Sequence, residues 1–149
     1  ALCRGRSTRT LDRTMKRALE FHDSTVSSVA HDGADVVVLL DPAFVHEAPQ
    51  NPGLEPGACY RQSVELRFFS GRYRSTLPED ASRVLYSGTM KLNDITHDGL
   101  LPLPFEDRGT TIASLAFGHL DAVLEVTSDG LRAQPIGPAI LDSQFPGAV

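Results

Sequence analysis

The side chains best suited to chemistry gather between Glu20 and Glu47, where three of the five histidines fall. His22 precedes Asp23 and Ser24, His46 precedes Glu47, and further on His119 stands two residues before Asp121. Imidazole and carboxylate together suit a hard or borderline metal, and three such segments meeting at one end of a fold would make a site. No single element supplies one, because neither His-x-His nor His-Glu-x-x-His occurs, the spacings that put two ligands on one strand or helix face. The metal candidates are therefore His22, Asp23 and His46, to be joined by tertiary structure. Against them stands a structural reading, in which His22 at a strand end donates to a main-chain carbonyl and Asp23 accepts turn amides.

Nucleophilic chemistry has less support. Ser24 has no Gly-x-Ser-x-Gly elbow around it. Cys59 with His46 would make a thiol and imidazole pair, but Cys59 borders an alternating strand and reads as a packed thiol. Glu79-Asp80 and Glu106-Asp107 flank proline-containing loops, where carboxylates are solvated. There is no P-loop and no Gly-x-Gly-x-x-Gly after a strand, so no cofactor is implied.

The elements that must position these groups read as strands. A first strand is expected at Arg17 to Phe21, in preference to a short amphipathic helix over Arg9 to Glu20. Val26 to Ala30 runs into His31-Asp32-Gly33-Ala34, and Asp-Gly marks a hairpin because its turn needs positive φ. Val36 to Leu40 is too short for an uncapped helix, and its β-branching predicts a strand buried on both faces. Asp41-Pro42 is expected to end it, since proline cannot donate to a ladder. The segment from Asp41 to Ala58 holds four prolines and two glycines and reads as a crossing loop or lid, anchored by Phe44, Val45 and His46 and folded over one end of the sheet.

Tyr60 to Phe68 alternates apolar and polar residues, and Ser70-Gly71 turns it toward Arg72 to Ser75. If that turn makes a two-residue hairpin, Arg61, Arg67, Phe69, Arg72 and Arg74 share one face. Like charges facing across strands favour an anionic or acidic partner. The competing reading is a solvated face with Glu65 interleaved.

Val84 to Leu92 reads as one strand with a bulge near Ser87-Gly88. Pro102 and Pro104 confine Leu100 to Phe105 to an edge. Thr111 to Phe117 and Leu120 to Thr127 form a meander, and the tail from Gln134 reads as extended along the surface. Seven to nine short strands with no helix beyond residue 20 predict an all-β protein, an antiparallel β-sandwich or barrel.

Composition suits one domain, with 41% hydrophobic and 22% charged residues. Residues 15–149 are expected to form it. Residues 1–14 read as a disordered or misassigned basic leader, with Met15 as a natural start. From Ala18 onward there are 8 basic and 18 acidic side chains, a net of −10 against −5 for the whole chain. An acidic body argues against a nucleic-acid binder, which needs a continuous basic footprint. No apolar run approaches the roughly 18 residues of a membrane span, and no segment reads as a secretory signal. Two cysteines do not make a disulfide framework, so a reducing cytoplasm is expected.

Arg17-Ala18-Leu19-Glu20-Phe21-His22-Asp23-Ser24, the strand over Val36 to Leu40, Phe44-Val45-His46 and the closing Phe145-Pro146-Gly147 resemble small uncharacterised bacterial all-β proteins. These open on a Phe/Leu-His-Asp-Ser/Ala segment, as do some immunity-type proteins of toxin systems. The resemblance implies a compact bacterial cytoplasmic β protein and carries no catalytic residues across. The expectation is thus a non-enzymatic, immunity-like protein-binding module for an acidic protein partner, docked on the arginine face or on the Pro-rich loop. The alternative is a small barrel with a metal- or ligand-binding site at its mouth, formed by His22, Asp23, Phe44 and His46, which extends to a hydrolase-type enzyme.

Overall fold

The computed structural model describes residues 15–145, so the basic leader lies outside the described residues. The described chain is all-β, with ten strands: β1 (Lys16–Glu20), β2 (Val26–Asp32), β3 (Asp35–Ala48), β4 (Gly57–Phe68), β5 (Arg72–Ser75), β6 (Leu85–Leu92), β7 (Ile95–Asp98), β8 (Leu100–Leu103), β9 (Phe105–Phe117) and β10 (Val123–Phe145). All pairs are antiparallel, in the order β7-β6-β9-β10-β4-β3-β1-β8, with β2 beside β3 and β5 beside β10. Among the described residues no helix is long and apolar enough to cross a membrane.

The sheet curls into a nearly closed barrel. On one side Thr25 bridges Val84, and the Asp23 and Val26 amides donate to the carbonyls of Leu85 and Arg83 at 2.9 and 3.0 Å. On the other, Gly99 donates to the Gly88 carbonyl and accepts from the Phe21 amide. Gly88 is required there, because a Cβ would stand 2.7 Å from the Phe21 ring. Alternation sends Phe21, Leu40, Leu66, Phe68, Met90 and Leu115 inward, all fully buried. These side chains belong to one continuous hydrophobic cluster that fills the lumen, as in small barrels generally.

Several expectations are corrected by the register. Val37 and Leu39 on β3 face outward and are half-buried, so this strand is not covered on both faces. Asp41-Pro42 does not end β3, which continues to Ala48. A register shift between Leu40 and Ala43 takes the proline out of the ladder, and the Pro42 carbonyl accepts from the Thr25 amide. The tail is extended and exposed, as read, but it is also part of the sheet. It remains in β10, paired with β4 as far as Phe145, with the irregularity between Ile136 and Ile140 absorbing Pro138. The β2–β3 hairpin forms where expected, with Gly33 at φ 61.

Candidate functional site

Two outward faces of the barrel carry the chemistry. The first is built on β1, β3 and β4. Register places Ala18, His46 and Cys59 side by side across these strands, with Glu20 and Phe44 one step along on the same face. An outward face would normally be wet, yet His46 is only 3% and Cys59 only 5% exposed. The cover is the β3–β4 connection, residues 49–56, which folds back over the strands. Gly53 lies closest, since a Cβ there would stand 2.9 Å from Leu100 and 3.6 Å from the His46 ring. The Pro-rich segment thus does act as a lid, although its expected anchor residues belong to β3.

The lid is held by its own hydrogen bonds. The Glu55 carboxylate accepts the amides of Gln50 and Asn51 at 2.6 and 2.8 Å, and the Asn51 carbonyl accepts those of Leu54 and Glu55. The Asn51 and Gln50 amides, aided by the charge of Lys16, hold the Glu55 carboxyl below its ordinary range.

Beneath the lid, His46 Nε2 lies 3.0 Å from a Glu20 carboxylate oxygen and 3.9 Å from Cys59 Sγ. The sulfur foremost, and then the carboxylate, raise the imidazole from 6.5 to about 9 against the cost of burial. At neutral pH the ring is an imidazolium. One register step away, on the opposite face, Arg17 Nε donates to the buried Glu47 at 3.0 Å.

His22 and Asp23 do not join this cluster. His22 Nδ1 lies 2.8 Å from the Tyr86 carbonyl, its ring meets Tyr86 edge-on, and Asp23 sits beside it at 3.5 Å, both exposed. That is the His22 half of the structural arrangement weighed from sequence; the Asp23 carboxylate meets His22 and, among the described residues, no turn amide. Among the described residues no group of three or more His, Cys, Asp or Glu side chains is placed to hold a metal. Ser24 is buried as a corner tie, donating to the Glu20 carbonyl and accepting from the Phe44 amide. His97 is half-buried in β7 and packs edge-on to Phe105.

The second face is the outer side of β5, β10, β9, β6 and β7, and it rearranges the expected arginine patch. The β4–β5 hairpin pairing does not form. β5 pairs with β10, placing Arg74 opposite Glu125 and Arg72 opposite Thr127. Arg67 is an internal clamp, bonded to Asp35 at 3.0 Å and Asp32 at 2.9 Å across the β2–β3 hairpin. The Ser70 amide first, and Arg67 second, hold the Asp35 carboxyl low. Arg61 pairs with Asp142 and Arg74 with Glu125. Phe69 is buried, with the Arg108 guanidinium 3.8 Å above its ring. Of the five expected residues, Arg72 remains on the open face with no ion pair among the described residues.

Its neighbours were not found from sequence. Continuous registers align Arg72, Thr127, Ile112, Lys91 and Thr96 across five strands, all exposed. Ile112 is shared by three shallow depressions on this face. The exposed Ile112 between buried Thr111 and Ala113 was a signal, but Lys91 joins it only through the β6–β9 pairing. No protein-family model, curated protein or solved structure matches the chain.

Proposed function

We propose that the chain is a non-enzymatic binding module, cytoplasmic and immunity-like in its resemblance, whose open face receives an extended acidic segment of a protein partner. One observation carries this reading: Arg72 and Lys91 flank the exposed Ile112 in a single cross-strand row, without acid partners among the described residues. Three strand spacings of about 4.8 Å separate the two cations by about 14 Å. In an extended peptide, residues i, i+2 and i+4 point the same way, and i and i+4 are about 14 Å apart. A segment of the form acid-x-apolar-x-acid, crossing the strands, therefore matches the row in charge, in polarity and in the span between its two cations, with Ile112 one strand from Lys91 and two from Arg72.

The His46 cluster supports a binding role over a catalytic one. In a nucleophilic triad the base uses one ring nitrogen for the nucleophile and the other for the orienting acid. Here Glu20 and Cys59 both approach Nε2.

The test is fluorescence anisotropy with labelled Glu-x-Ile-x-Glu and Lys-x-Ile-x-Lys peptides. The acidic peptide is expected to bind and to lose at least about tenfold in affinity on Arg72→Glu or Lys91→Glu, roughly 1.4 kcal/mol. Equal binding of both peptides, or affinity unchanged in both variants, sinks the reading.

A further inference from the structure

Beside the roofed cluster the lid leaves a recess of about 300 Å³, at the lower end of the volumes that hold small molecules. It lies between the lid and the outer side of β1 and β8. Ala18, Leu100 and Pro102 form its floor, and Pro52 and Leu54 its lip. Leu54 is 66% exposed, a large apolar side chain held at the opening with little to cover it.

The polar groups at the rim are of one charge type. Lys16 and Arg17 line the recess and no carboxylate does; Gln50, Asn51 and His97 complete it. The nearest acids are already engaged: Glu47 by Arg17, Glu20 by His46 and Glu55 by the lid amides. The other depressions differ, since each mixes cations with Asp94, Glu125 or Asp129.

From this combination we infer that the recess binds a small monocarboxylate with an apolar body, its chain on the Leu100 and Leu54 side and its carboxylate at Lys16, the lining cation that no carboxylate pairs. A phosphate fits less well. Multiply charged anions are usually held by several backbone amides, and the lid amides of Gln50 and Asn51 are spent on Glu55. The recess is preformed as well, because the lid turn is tied internally and seated on Leu100 through Gly53, which lowers the cost of ordering on binding.

The experiment is a calorimetric and heteronuclear NMR titration of the whole chain with 4-phenylbutyrate and with its uncharged analogue 4-phenylbutyramide. The carboxylate is expected to bind at least about tenfold more tightly than the amide, and to shift the backbone signals of Ala18, Gln50, Leu54 and Leu100. Lys16→Gln, an exposed change that leaves the core untouched, is expected to remove at least about fivefold of the carboxylate's affinity while leaving the amide's unchanged. Leu54→Ala is expected to weaken both. Equal affinity for the two probes, absence of both at millimolar concentration, or signals that move elsewhere on the barrel would each overturn the assignment.

Discussion

The roofed face of β1, β3 and β4 and the open face of β5, β10, β9 and β6 belong to one sheet with the same alternation, and they handle charge in opposite ways. Under the lid, His46 is partnered by Glu20 and Cys59, because an unpaired charge out of water is costly. On the open face Arg72 and Lys91 stand in water without ion partners among the described residues. Solvation makes that inexpensive. Residues 49–56 create the difference, converting a solvent face into a second, polar interior.

The sharpest way to break this contrast is at the seat of the lid. Gly57 is where the chain re-enters the sheet, and a Cβ there would lie 2.2 Å from the Glu47 main-chain oxygen. Backbone cannot retreat as a side-chain end can. Gly57→Ala is expected to destabilise the protein by about 3 kcal/mol, read as a fall in the urea midpoint. Gly118, at the rim of the barrel beyond β9, has open space around the same position, and Gly118→Ala is expected to leave the midpoint unchanged. Equal effects would mean that the lid is not seated as described.

Protonation sharpens the contrast further. The folded His46 pKa of about 9 lies above its ordinary 6.5, so its contribution is complete below about pH 6.5 and is lost as pH rises through 9. The loss should be about 2 kcal/mol, less than the whole shift implies because the Glu20 side chain is 36% exposed. Urea midpoints followed from about pH 6 to pH 10 should fall more steeply in the wild type than in His46→Gln. Parallel profiles would show that the imidazole is not held as a cation.

The strands and the all-β class were legible because period-2 alternation and Asp-Gly turns are local signals, whereas the choice of barrel over sandwich rests on long-range closure. Tyr60 to Phe68 and Thr111 to Phe117 appear much as read. Where the local rule was proline, it misled: Asp41-Pro42 and Pro138 sit in register shifts inside β3 and β10, and a bulge accommodates what a regular ladder rejects. The arginine face failed for a different reason. Its residues were correct as exposed cations, but their grouping assumed that β5 pairs with β4, and the choice of β10 as partner is a long-range matter. The same long-range pairing hid Lys91 from Ile112 and Glu20 from His46. His46 and Cys59 were named together from composition, and only the lid explains why an outward-facing pair is buried.

The smallest expected effects separate stability from binding on the open face. Arg74 is exposed and satisfied by Glu125, whereas Arg72, two residues away on the same strand face, has no such acid. Alanine at either position should change stability by no more than about 0.5 kcal/mol, as for exposed surface charges in general. Anisotropy with the acidic peptide should still distinguish them. Arg72→Ala removes a cation available to the ligand, while Arg74→Ala removes one whose charge Glu125 already balances and leaves that carboxylate uncovered. Arg72→Ala should therefore weaken binding at low salt by a few-fold, with the difference from wild type shrinking as salt is raised. Arg74→Ala should act no more strongly than the field of one uncovered, screened carboxylate. If Arg74→Ala is the more damaging of the two, the ion pair with Glu125 opens to receive the partner, and the binding row lies one step along the strands, on Arg74, Glu125 and Ser114.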